Sequence, residues 1–379
     1  MKGRVGLVVH HAGEGVVEEG RDRLAVHLRP ANVLGVGKLV DSPFSSEIEL
    51  RREVIRLRSG QVGSPPLSYY SSSEIITVSS PPYMTGLHHG QERVVVPNSE
   101  ILLGFDGSKT EDKQAGVTPR TGLPINLSDA SEMLLEELMA AVKRSVAKKC
   151  AVLFSGGIDS SLLVWTCMSV GLEPLAVSVG LGGSHDLSFS EKASKLLRVD
   201  YVSVPLAGKE IIQTSIYLSK NMVLHSLMDR ALAVLVYDGS RVAVSHGRRQ
   251  VVSGQGADEL FGGYMKYLRI LESGNRLGAE EEMRRDLDTL WLRSLPRDYA
   301  SAALAGCLLT TPYLDERIIN NAYNLPLEFK ISRGVRKMVL RDVARLAGLP
   351  AELVEKEKKA AQYGTGIEKV LRKTGHYAG

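Results

Sequence analysis

Residues 155–161, SGGIDSS, stand between an apolar run and an amphipathic stretch, and this arrangement decides the fold class. The apolar run, residues 150–154 (CAVLF), is typical of a strand buried on both faces of a sheet. The amphipathic stretch over residues 158–170 predicts a helix. Two glycines let the backbone turn tightly between strand and helix and approach an anion closely. The helix N-terminus then offers free N–H groups to that anion, so the segment indicates a phosphate site in an α/β fold.

The same alternation of apolar and amphipathic segments continues along the chain. Strands are predicted near residues 175–179, 201–204 and 250–253, and helices near residues 129–149, 190–197, 210–219 and 228–237. Strands that alternate with helices predict a doubly wound parallel sheet. From Tyr264 onward helical periodicity dominates, so we expect C-terminal helices packed over the carboxyl ends of the strands.

Residues 1–125 differ from the rest and are predicted to form a small β-rich N-terminal domain. Residues 59–83 are rich in Ser, Pro and Gly, and short β-like runs occur at residues 75–78 and 93–96. Residues 104–121 have almost no apolar content and are predicted to be a linker. The second domain is expected over residues 126–379.

Composition limits the classes of function. The chain has 379 residues, a formal net charge of +4 and three cysteines, none at CxxC spacing. A disulfide framework or a structural zinc site is therefore not expected, and the charge is too small to indicate nucleic-acid binding. The start lacks an apolar signal segment, and no run approaches the roughly 18 apolar residues of a membrane span. We expect a cytoplasmic protein without nucleic-acid or membrane partners.

A second glycine-rich loop follows another apolar run, at residues 253–264 (SGQGADELFGGY). Its Asp258 and the Asp159 of the first loop are poor phosphate ligands by themselves, because like charges repel. They are suitable if Mg²⁺ lies between carboxylate and phosphate oxygens. Either aspartate alone could simply favour a helix N-terminus. Both loops, each after a strand of one sheet, indicate a magnesium-pyrophosphate site with Asp159 and Asp258 as metal ligands.

These motifs resemble those of a known family. Residues 155–161 are similar to the SGGxDS signature of ATP-pyrophosphatases, and residues 253–264 to the SGxGADELFGGY signature of asparagine synthetases. Residues 179–187 resemble the loop after the second strand of that family, and residues 311–315 (TPYLD) resemble its PFLD element. The resemblance covers roughly residues 132–373, which is the synthetase half of the enzyme. The C-terminal run is most similar to the asparagine synthetase domain-containing proteins.

The resemblance implies an ATP-pyrophosphatase fold and an amide ligase that uses ATP and Mg²⁺. A carboxylate, with aspartate expected, attacks the α-phosphorus, pyrophosphate leaves, and ammonia converts the acyl-adenylate to an amide. Phe154, Val179 and Gly254 would contact the adenosine through backbone groups. The cofactor-binding residues implied are Phe154, Ser155, Gly156, Gly157, Asp159, Ser160, Val179, Ser253 and Gly254.

Several departures leave the acceptor open. The glutamate that the family has in SGEG is Gln255 here, and the lysine of its RxKxxF element falls on Ala360. Gln255 and either Lys358 or Lys359, which could replace that lysine, are the candidate catalytic residues. The family's EAR is replaced within residues 307–310. A ligase acting on another carboxylate and a nucleotide-binding regulator without turnover therefore remain alternatives.

The amino donor is expected to be ammonia. Glutamine-dependent members carry a cysteine at position 2, whose thiolate attacks the glutamine amide. Position 2 is Lys2 here, and the first cysteine is Cys150. The partners expected are thus ATP, aspartate or a related carboxylate, and ammonia. A separate glutaminase partner or a homodimer is compatible with this scheme.

Overall fold

The computed structural model describes most of the chain from residue 126 onward and a set of strands before it. The residues that it describes are 6–11, 15–20, 23–28, 46–51, 54–59, 67–71, 75–80, 93–95, 99–104, 108–113, 126–356 and 364–373.

The elements described before residue 114 are all strands, in agreement with a β-rich N-terminal region. Their bounds are β1 (Gly6–His11), β2 (Gly15–Gly20), β3 (Arg23–Leu28), β4 (Ser46–Arg51), β5 (Val54–Arg58), β6 (Ser68–Ser71), β7 (Ile75–Ser80), β8 (Arg93–Val94), β9 (Ser99–Gly104) and β10 (Lys109–Lys113). One sheet has the order β10-β9-β5-β4-β3-β2 with antiparallel pairs, and the other has the order β1-β7-β6-β8. In β5, Ile55 and Leu57 are buried while Val54 and Arg56 are only partly buried and Arg58 is exposed, the period-2 pattern of a strand with one buried face.

The prediction of a linker over residues 104–121 is wrong for residues 109–113. This polar segment is β10, which pairs with β9 in antiparallel register from Lys109↔Leu103 to Lys113↔Ser99. β10 is an edge strand, and charged side chains are common on edge strands because they discourage pairing with another chain. Low apolar content therefore did not distinguish this strand from a loop. The division of the chain near residue 125 stays a prediction.

The second half of the chain is built on one five-stranded parallel sheet. Its strands are β11 (Lys149–Leu153), β12 (Glu173–Leu181), β13 (Asp200–Leu206), β14 (Gln250–Val252) and β15 (Leu308–Thr310). Their order across the sheet is β13-β12-β11-β14-β15, and each neighbouring pair is parallel. The four strands predicted from the sequence are all present.

The strand order confirms the doubly wound fold. The chain runs outward from β11 through β12 to β13 and then returns to the other side of β11 with β14 and β15. Since crossovers between parallel strands are right-handed, the two directions place their helices on opposite faces of the sheet. The order reverses between β11 and β14, and the crevice at their carboxyl ends is where such sheets bind ligands.

Helices cover this sheet. Their bounds are α1 (Leu127–Ser145), α2 (Ile158–Ser169), α3 (His185–Leu197), α4 (Gly208–Asn221), α5 (Leu227–Ser245), α6 (Ala257–Phe261), α7 (Met265–Glu272), α8 (Arg276–Thr289), α9 (Leu295–Leu304), α10 (Glu316–Asn324), α11 (Leu327–Lys330), α12 (Met338–Leu346), α13 (Ala351–Val354) and α14 (Ile367–Lys373). A π-helical turn, Leu290–Ser294, joins α8 to α9, and a 3-10 turn, Pro312–Leu314, precedes α10. A short hairpin of β16 (Ile331–Ser332) and β17 (Val335–Arg336) precedes α12.

The C-terminal helices agree with the prediction, but β15 within this region was missed. It has three residues, too few to show a period of 2, and its partner β14 lies far away in the sequence. Gln250 of β14 fixes this edge, since its side-chain amide donates to Thr310 Oγ1 at 2.5 Å and to the Ser145 carbonyl at 2.8 Å. Among the described residues, no helix combines the length and apolar character needed to cross a membrane.

Candidate active site

The loop after β11 closes on itself through its serine hydroxyls. Ser155 Oγ and Ser160 Oγ are 3.3 Å apart, and the Gly157 N–H donates to Ser155 Oγ at 3.3 Å. Ser160 Oγ also donates to the Gly157 carbonyl at 3.2 Å. The loop therefore holds two hydroxyl groups and the start of α2 together, where an anion can reach both.

Gly156 shapes this loop and has no side chain that could reach a ligand. Its φ is +69°, in the left-handed region that favours glycine. A Cβ on Gly156 would lie 2.8 Å from the Phe189 ring and 2.9 Å from Ala193 Cβ, both on α3. Any larger residue would push the loop away from α3.

The loop after β14 lies directly against the first turn of α2. The Ser253 N–H continues the sheet by donating to the Thr310 carbonyl at 2.9 Å, and Ser253 Oγ accepts from the Gln255 N–H at 3.3 Å. A Cβ on Gly254 would lie 3.2 Å from Asp159 Cβ. The absence of a side chain at Gly254 thus lets the two loops approach each other.

Asp159 and Asp258 meet at one ammonium group. Lys337 Nζ is 2.5 and 2.6 Å from the two oxygens of Asp159 and 2.8 Å from Asp258 Oδ1. The Lys337 side chain is 4% exposed. Burial lowers the pKa of Lys337, and the Asp159 carboxylate acts in the opposite direction. The two aspartates predicted to be metal ligands are therefore brought together on a buried cation.

The backbone holds Lys337 in place. Lys337 has φ +59°, a strained left-handed conformation for a lysine, and it stands immediately before α12, where the Arg341 N–H donates to its carbonyl at 2.9 Å. Gly263 passes so close that a Cβ there would overlap both Asp258 Oδ1 and Lys337 Cε. The second glycine of the GGY segment thus makes room for the Asp258–Lys337 ion pair.

Gly263→Ala is therefore expected to disrupt this ion pair. The added methyl group has no space, so Asp258 or Lys337 must move, and overpacking of this kind costs about 1–3 kcal/mol of unfolding free energy. We expect turnover to fall roughly 10- to 100-fold, as for misplacement of a charged group by about 1 Å. Gly182→Ala is the matched control, since nothing lies within 4 Å of a Cβ at Gly182. If Gly263→Ala and Gly182→Ala behaved alike in thermal unfolding and turnover, Gly263 would not be needed to make room for the Asp258–Lys337 ion pair.

A cavity of about 800 Å³ opens beside these loops. Its lining includes polar residues of the two glycine loops and apolar residues of α5. The polar residues are Ser155, Ser160, Gln255, Asp159 and Asp258, and the apolar ones include Leu232 and Val236. At one end lie Phe154, Val179 and Thr365, and the lining also includes polar residues of α8 and α9. A volume of this size suits a nucleotide with an additional small molecule.

The end of the cavity near β12 is the candidate adenosine site. Val177, Ser178 and Val179 of β12 line it. The Phe154 N–H already donates to the Val177 carbonyl at 2.8 Å, and the Phe154 carbonyl accepts from Ser178 Oγ. The backbone N–H and carbonyl of Phe154 are thus both engaged within the protein, and the backbone contact of Phe154 with adenosine stays a prediction.

The segment just before α14 completes this end of the cavity. The Leu181 N–H donates to the Thr365 carbonyl at 2.8 Å, and Thr365 is 4% exposed. Lys356 also lines the cavity and lies 3.1 Å from the centroid of the Phe189 ring. Lys358 and Lys359, the predicted replacements for the family lysine, lie outside the described residues.

Comparison of the sequence with known protein families identifies a match over the residues that form this site. The family model described as asparagine synthase matches residues 133–305 and 271–376, which together span more than half of the chain. The chain belongs to the asparagine synthase family. The matched range contains both glycine loops, Lys337 and the parallel sheet.

Individual proteins that the chain resembles are also described as asparagine synthetases or as asparagine synthetase domain-containing proteins. The chain is 28% identical to a Methanocaldococcus jannaschii protein assigned as glutamine-hydrolysing asparagine synthetase 1, over 85% of this chain and 68% of that protein. It is 28% identical to an asparagine synthetase domain-containing protein of Saccharomyces cerevisiae, over 65% of this chain and 55% of that protein. The chain thus spans about half to two thirds of these relatives. The predicted resemblance is confirmed at the level of the family.

Among solved structures, an NMN synthetase from Francisella tularensis is 11% identical, over 67% of this chain and 96% of that one, with a TM-score of 0.34. The fold assignment rests on the strand order and on membership of the asparagine synthase family, whose members include ATP-dependent amide ligases.

Most of the predicted site residues lie together. The cavity is lined by Phe154, Ser155, Gly157, Asp159, Ser160, Val179, Ser253, Gly254, Gln255 and Asp258. Gly156 faces α3 and supports the loop from behind. The sequence did not identify Lys337, which lies 178 residues from Asp159. Its only signal was its position within the C-terminal run that resembles the family.

The donor set is compatible with Mg²⁺. Two carboxylates, Asp159 and Asp258, line the cavity next to the serine loop. Among the described residues, no group of three or more His, Cys, Asp or Glu side chains could form a metal cage. Mg²⁺ is commonly held by one or two carboxylates, with substrate phosphates and water as the other ligands. Two aspartates beside a phosphate loop suit this mode of binding.

Proposed function

We propose that the chain adenylates a carboxylate with ATP, releases pyrophosphate and transfers ammonia to the activated acyl group. The acceptor proposed is aspartate or a related carboxylate. The observation that carries this proposal is the convergence of Asp159 and Asp258 on Lys337, next to the Ser155–Ser160 hydroxyl pair in one cavity. Such a site presents two carboxylates, one buried cation and two hydroxyl donors to a triphosphate.

The phosphates would bind at the start of α2. The hydroxyl groups of Ser155 and Ser160 and the N-terminal N–H groups of α2 can donate to phosphate oxygens, and the helix dipole favours negative charge there. Lys337 fixes the two aspartates before substrate arrives. Charge stabilisation that is organised in advance is the main contribution a protein makes to phosphoryl and adenylyl transfer.

Asp159 and Asp258 would hold Mg²⁺, which neutralises phosphate charge when it is bound. The remaining steps depend on the position of the acceptor. One oxygen of the acceptor carboxylate attacks the α-phosphorus and the bond to pyrophosphate breaks. The ammonia nitrogen then attacks the acyl carbon, and AMP leaves with the bridging oxygen while the attacking nitrogen loses a proton.

Gln255 belongs to the loop after β14 and lines the cavity, where the acceptor would meet the α-phosphate. Its amide can donate and accept hydrogen bonds but cannot act as a base or balance a positive charge. We propose that Gln255 orients the acceptor, and that Lys358 or Lys359 contributes a cation near the phosphates. Lys356, the last described residue before these two lysines, lines the cavity.

The proposed function is tested by ATP–pyrophosphate exchange with a panel of carboxylic acids. We expect aspartate to support exchange in the presence of Mg²⁺, and ammonia to convert the exchange into net release of AMP and amide. If another acid supported exchange and aspartate did not, the chain would be a ligase that acts on that other carboxylate. Absence of exchange with every acid, together with tight ATP binding, would favour a nucleotide-binding regulator.

A further inference from the structure

The 3-10 turn Pro312–Leu314 carries a buried hydroxyl group that the corresponding family element lacks. Residues 312–315 resemble the PFLD element, and the position of its phenylalanine is occupied by Tyr313. Tyr313 has no exposed surface, and its ring packs edge-on against Phe261 with the ring centroids 6.3 Å apart. A phenylalanine would make the same ring contact, so packing alone does not account for the hydroxyl group.

This hydroxyl group binds the segment that carries one of the two proposed metal ligands. The Tyr313 hydroxyl donates to the Asp159 carbonyl oxygen at 3.0 Å, across 154 residues of sequence. Burial raises the pKa of Tyr313 well above its ordinary value and the Asp159 carboxylate raises it further, so the phenol stays protonated and remains a donor. A buried hydroxyl group is costly without a hydrogen-bond partner. The Asp159 carbonyl is therefore the group that makes a tyrosine acceptable at this position.

The hydrogen bond reaches Asp159 in the first turn of α2. This helix begins at Ile158, with Gly157 as its N-cap, so Asp159 is the second residue of the helix. The Asp159 carboxylate is held separately, because Lys337 Nζ lies 2.5 and 2.6 Å from its two oxygens. The backbone and the side chain of Asp159 are thus fixed by two different parts of the chain, the turn after β15 and the residue before α12.

The turn is anchored at both ends and contacts both glycine loops. β15, which leads into the turn, pairs with β14, and Asp315 directly after the turn lies 2.6 Å from Arg144 Nη2 of α1. Leu314 fills the space beside Gly256, where a Cβ would overlap the Leu314 side chain. Gly256 has φ +92°, in the region that favours glycine. One anchored turn therefore touches both loops, the first through Tyr313 and the second through Leu314.

We infer that Tyr313 is a positioning residue for the metal, whose hydroxyl group fixes the first turn of α2 so that the Asp159 carboxylate stays beside Asp258. The inference rests on the proposed function and deepens it, since it gives a residue outside the cavity a part in Mg²⁺ binding. Tyr313 does not line the cavity, so it acts through Asp159. Two carboxylates repel each other, and a backbone fixed in advance at one of them lowers the cost of holding both at one metal ion.

Tyr313→Phe tests this inference, because it removes one oxygen atom and keeps the ring. Mg²⁺ binding is measured by calorimetry in the presence of a non-hydrolysable ATP analogue, and thermal unfolding is followed on the same preparation. We expect the Kd of Mg²⁺ to rise roughly 3- to 10-fold, the effect of losing one hydrogen bond. Pyrophosphate release should need correspondingly more Mg²⁺, while the rate at saturating Mg²⁺ should stay close to that of wild type.

Tyr201→Phe is the matched control. The Tyr201 hydroxyl also donates to a carbonyl in the first turn of a helix, that of Leu187 in α3, at 3.5 Å. Since α3 carries neither proposed metal ligand, Mg²⁺ affinity should not change in this variant.

Three results would overturn the inference. They are a Tyr313→Phe variant that loses thermal stability alone and binds Mg²⁺ like wild type, an equal loss of Mg²⁺ affinity in both variants, and no measurable Mg²⁺ binding to the wild-type complex with the ATP analogue. Failure of the proposed function is recognised separately, as absence of acid-dependent pyrophosphate exchange in wild-type protein that still binds Mg²⁺ and the analogue.

Discussion

Lys337→Met is expected to reduce pyrophosphate release by roughly 1000-fold, the effect of removing a positioned charge from a developing phosphoryl or acyl transition state. The substitution leaves Asp159 and Asp258 close together with no cation between them. Removing one partner of a buried ion pair costs about 3–5 kcal/mol, so the free energy of unfolding should fall by a similar amount. Turnover assays and urea unfolding on the same preparation measure both effects.

Lys330→Met is the matched control for this prediction. Lys330 is also buried, at the end of α11, and burial lowers its pKa to about 8. It does not line the cavity. Replacing it by an apolar residue should leave turnover unchanged and leave stability unchanged or raised, because a costly buried charge disappears. Similar losses in both variants would mean that Lys337 is a structural residue only.

The role of Lys337 could not be predicted from the sequence, whereas the two glycine loops could. Both glycine loops were recognised because glycine, serine and aspartate occur at fixed spacing after apolar runs, and each run is a strand of the central sheet. Lys337 precedes an amphipathic helix and looks like an ordinary exposed lysine in the sequence. Only the fold, in which α12 packs against α2, brings Lys337 to Asp159, and no local pattern in the sequence records that contact.

The fold itself was predictable where segments were long and strongly patterned. β11 and β12 are apolar and buried on both faces, so their composition indicates strands without knowledge of their partners. β15 and β10 were missed for the opposite reason. Their strand character comes from pairing with β14 and β9, since β15 has only three residues and β10 has four charged residues among its five. Boundaries of the predicted strands differ from the structure by at most two residues, whereas α5 continues eight residues beyond the predicted helix and α3 begins five residues before it.

A buried ionic triad, in which Arg297 donates from Nε to Asp298 Oδ1 and from Nη1 to Asp229 Oδ1, was not predictable for a similar reason. The sequence around Arg297 and Asp298 reads as an ordinary turn of a helix, in which charged residues are usually exposed. Asp229, the third member, is 68 residues away on α5. Packing of α9 against α5 is what removes all three charges from water, and packing partners cannot be read from one sequence.

Asp159→Asn and Asp258→Asn are expected to cause the second large loss, each lowering turnover by roughly 100- to 1000-fold. An asparagine keeps the size of the side chain but removes the negative charge that a metal-phosphate unit requires. Asp159→Asn should be the more severe, since both oxygens of Asp159 lie within 2.6 Å of Lys337 Nζ, whereas Asp258 Oδ1 is 2.8 Å from it. The Tyr313 hydroxyl, which donates to the Asp159 carbonyl at 3.0 Å, should keep the loop in place in either variant.

The measurement is pyrophosphate release over a range of Mg²⁺ concentrations, with ATP binding followed by calorimetry. If the aspartates hold the metal, both variants should need more Mg²⁺ to reach half of their residual rate, while folding remains cooperative. Asp200→Asn, an exposed change at the start of β13 and at the opposite end of the sheet, should behave as wild type. Near wild-type turnover in either cavity variant would show that the residue concerned is not a metal ligand, and the role of the pair would then be limited to holding Lys337.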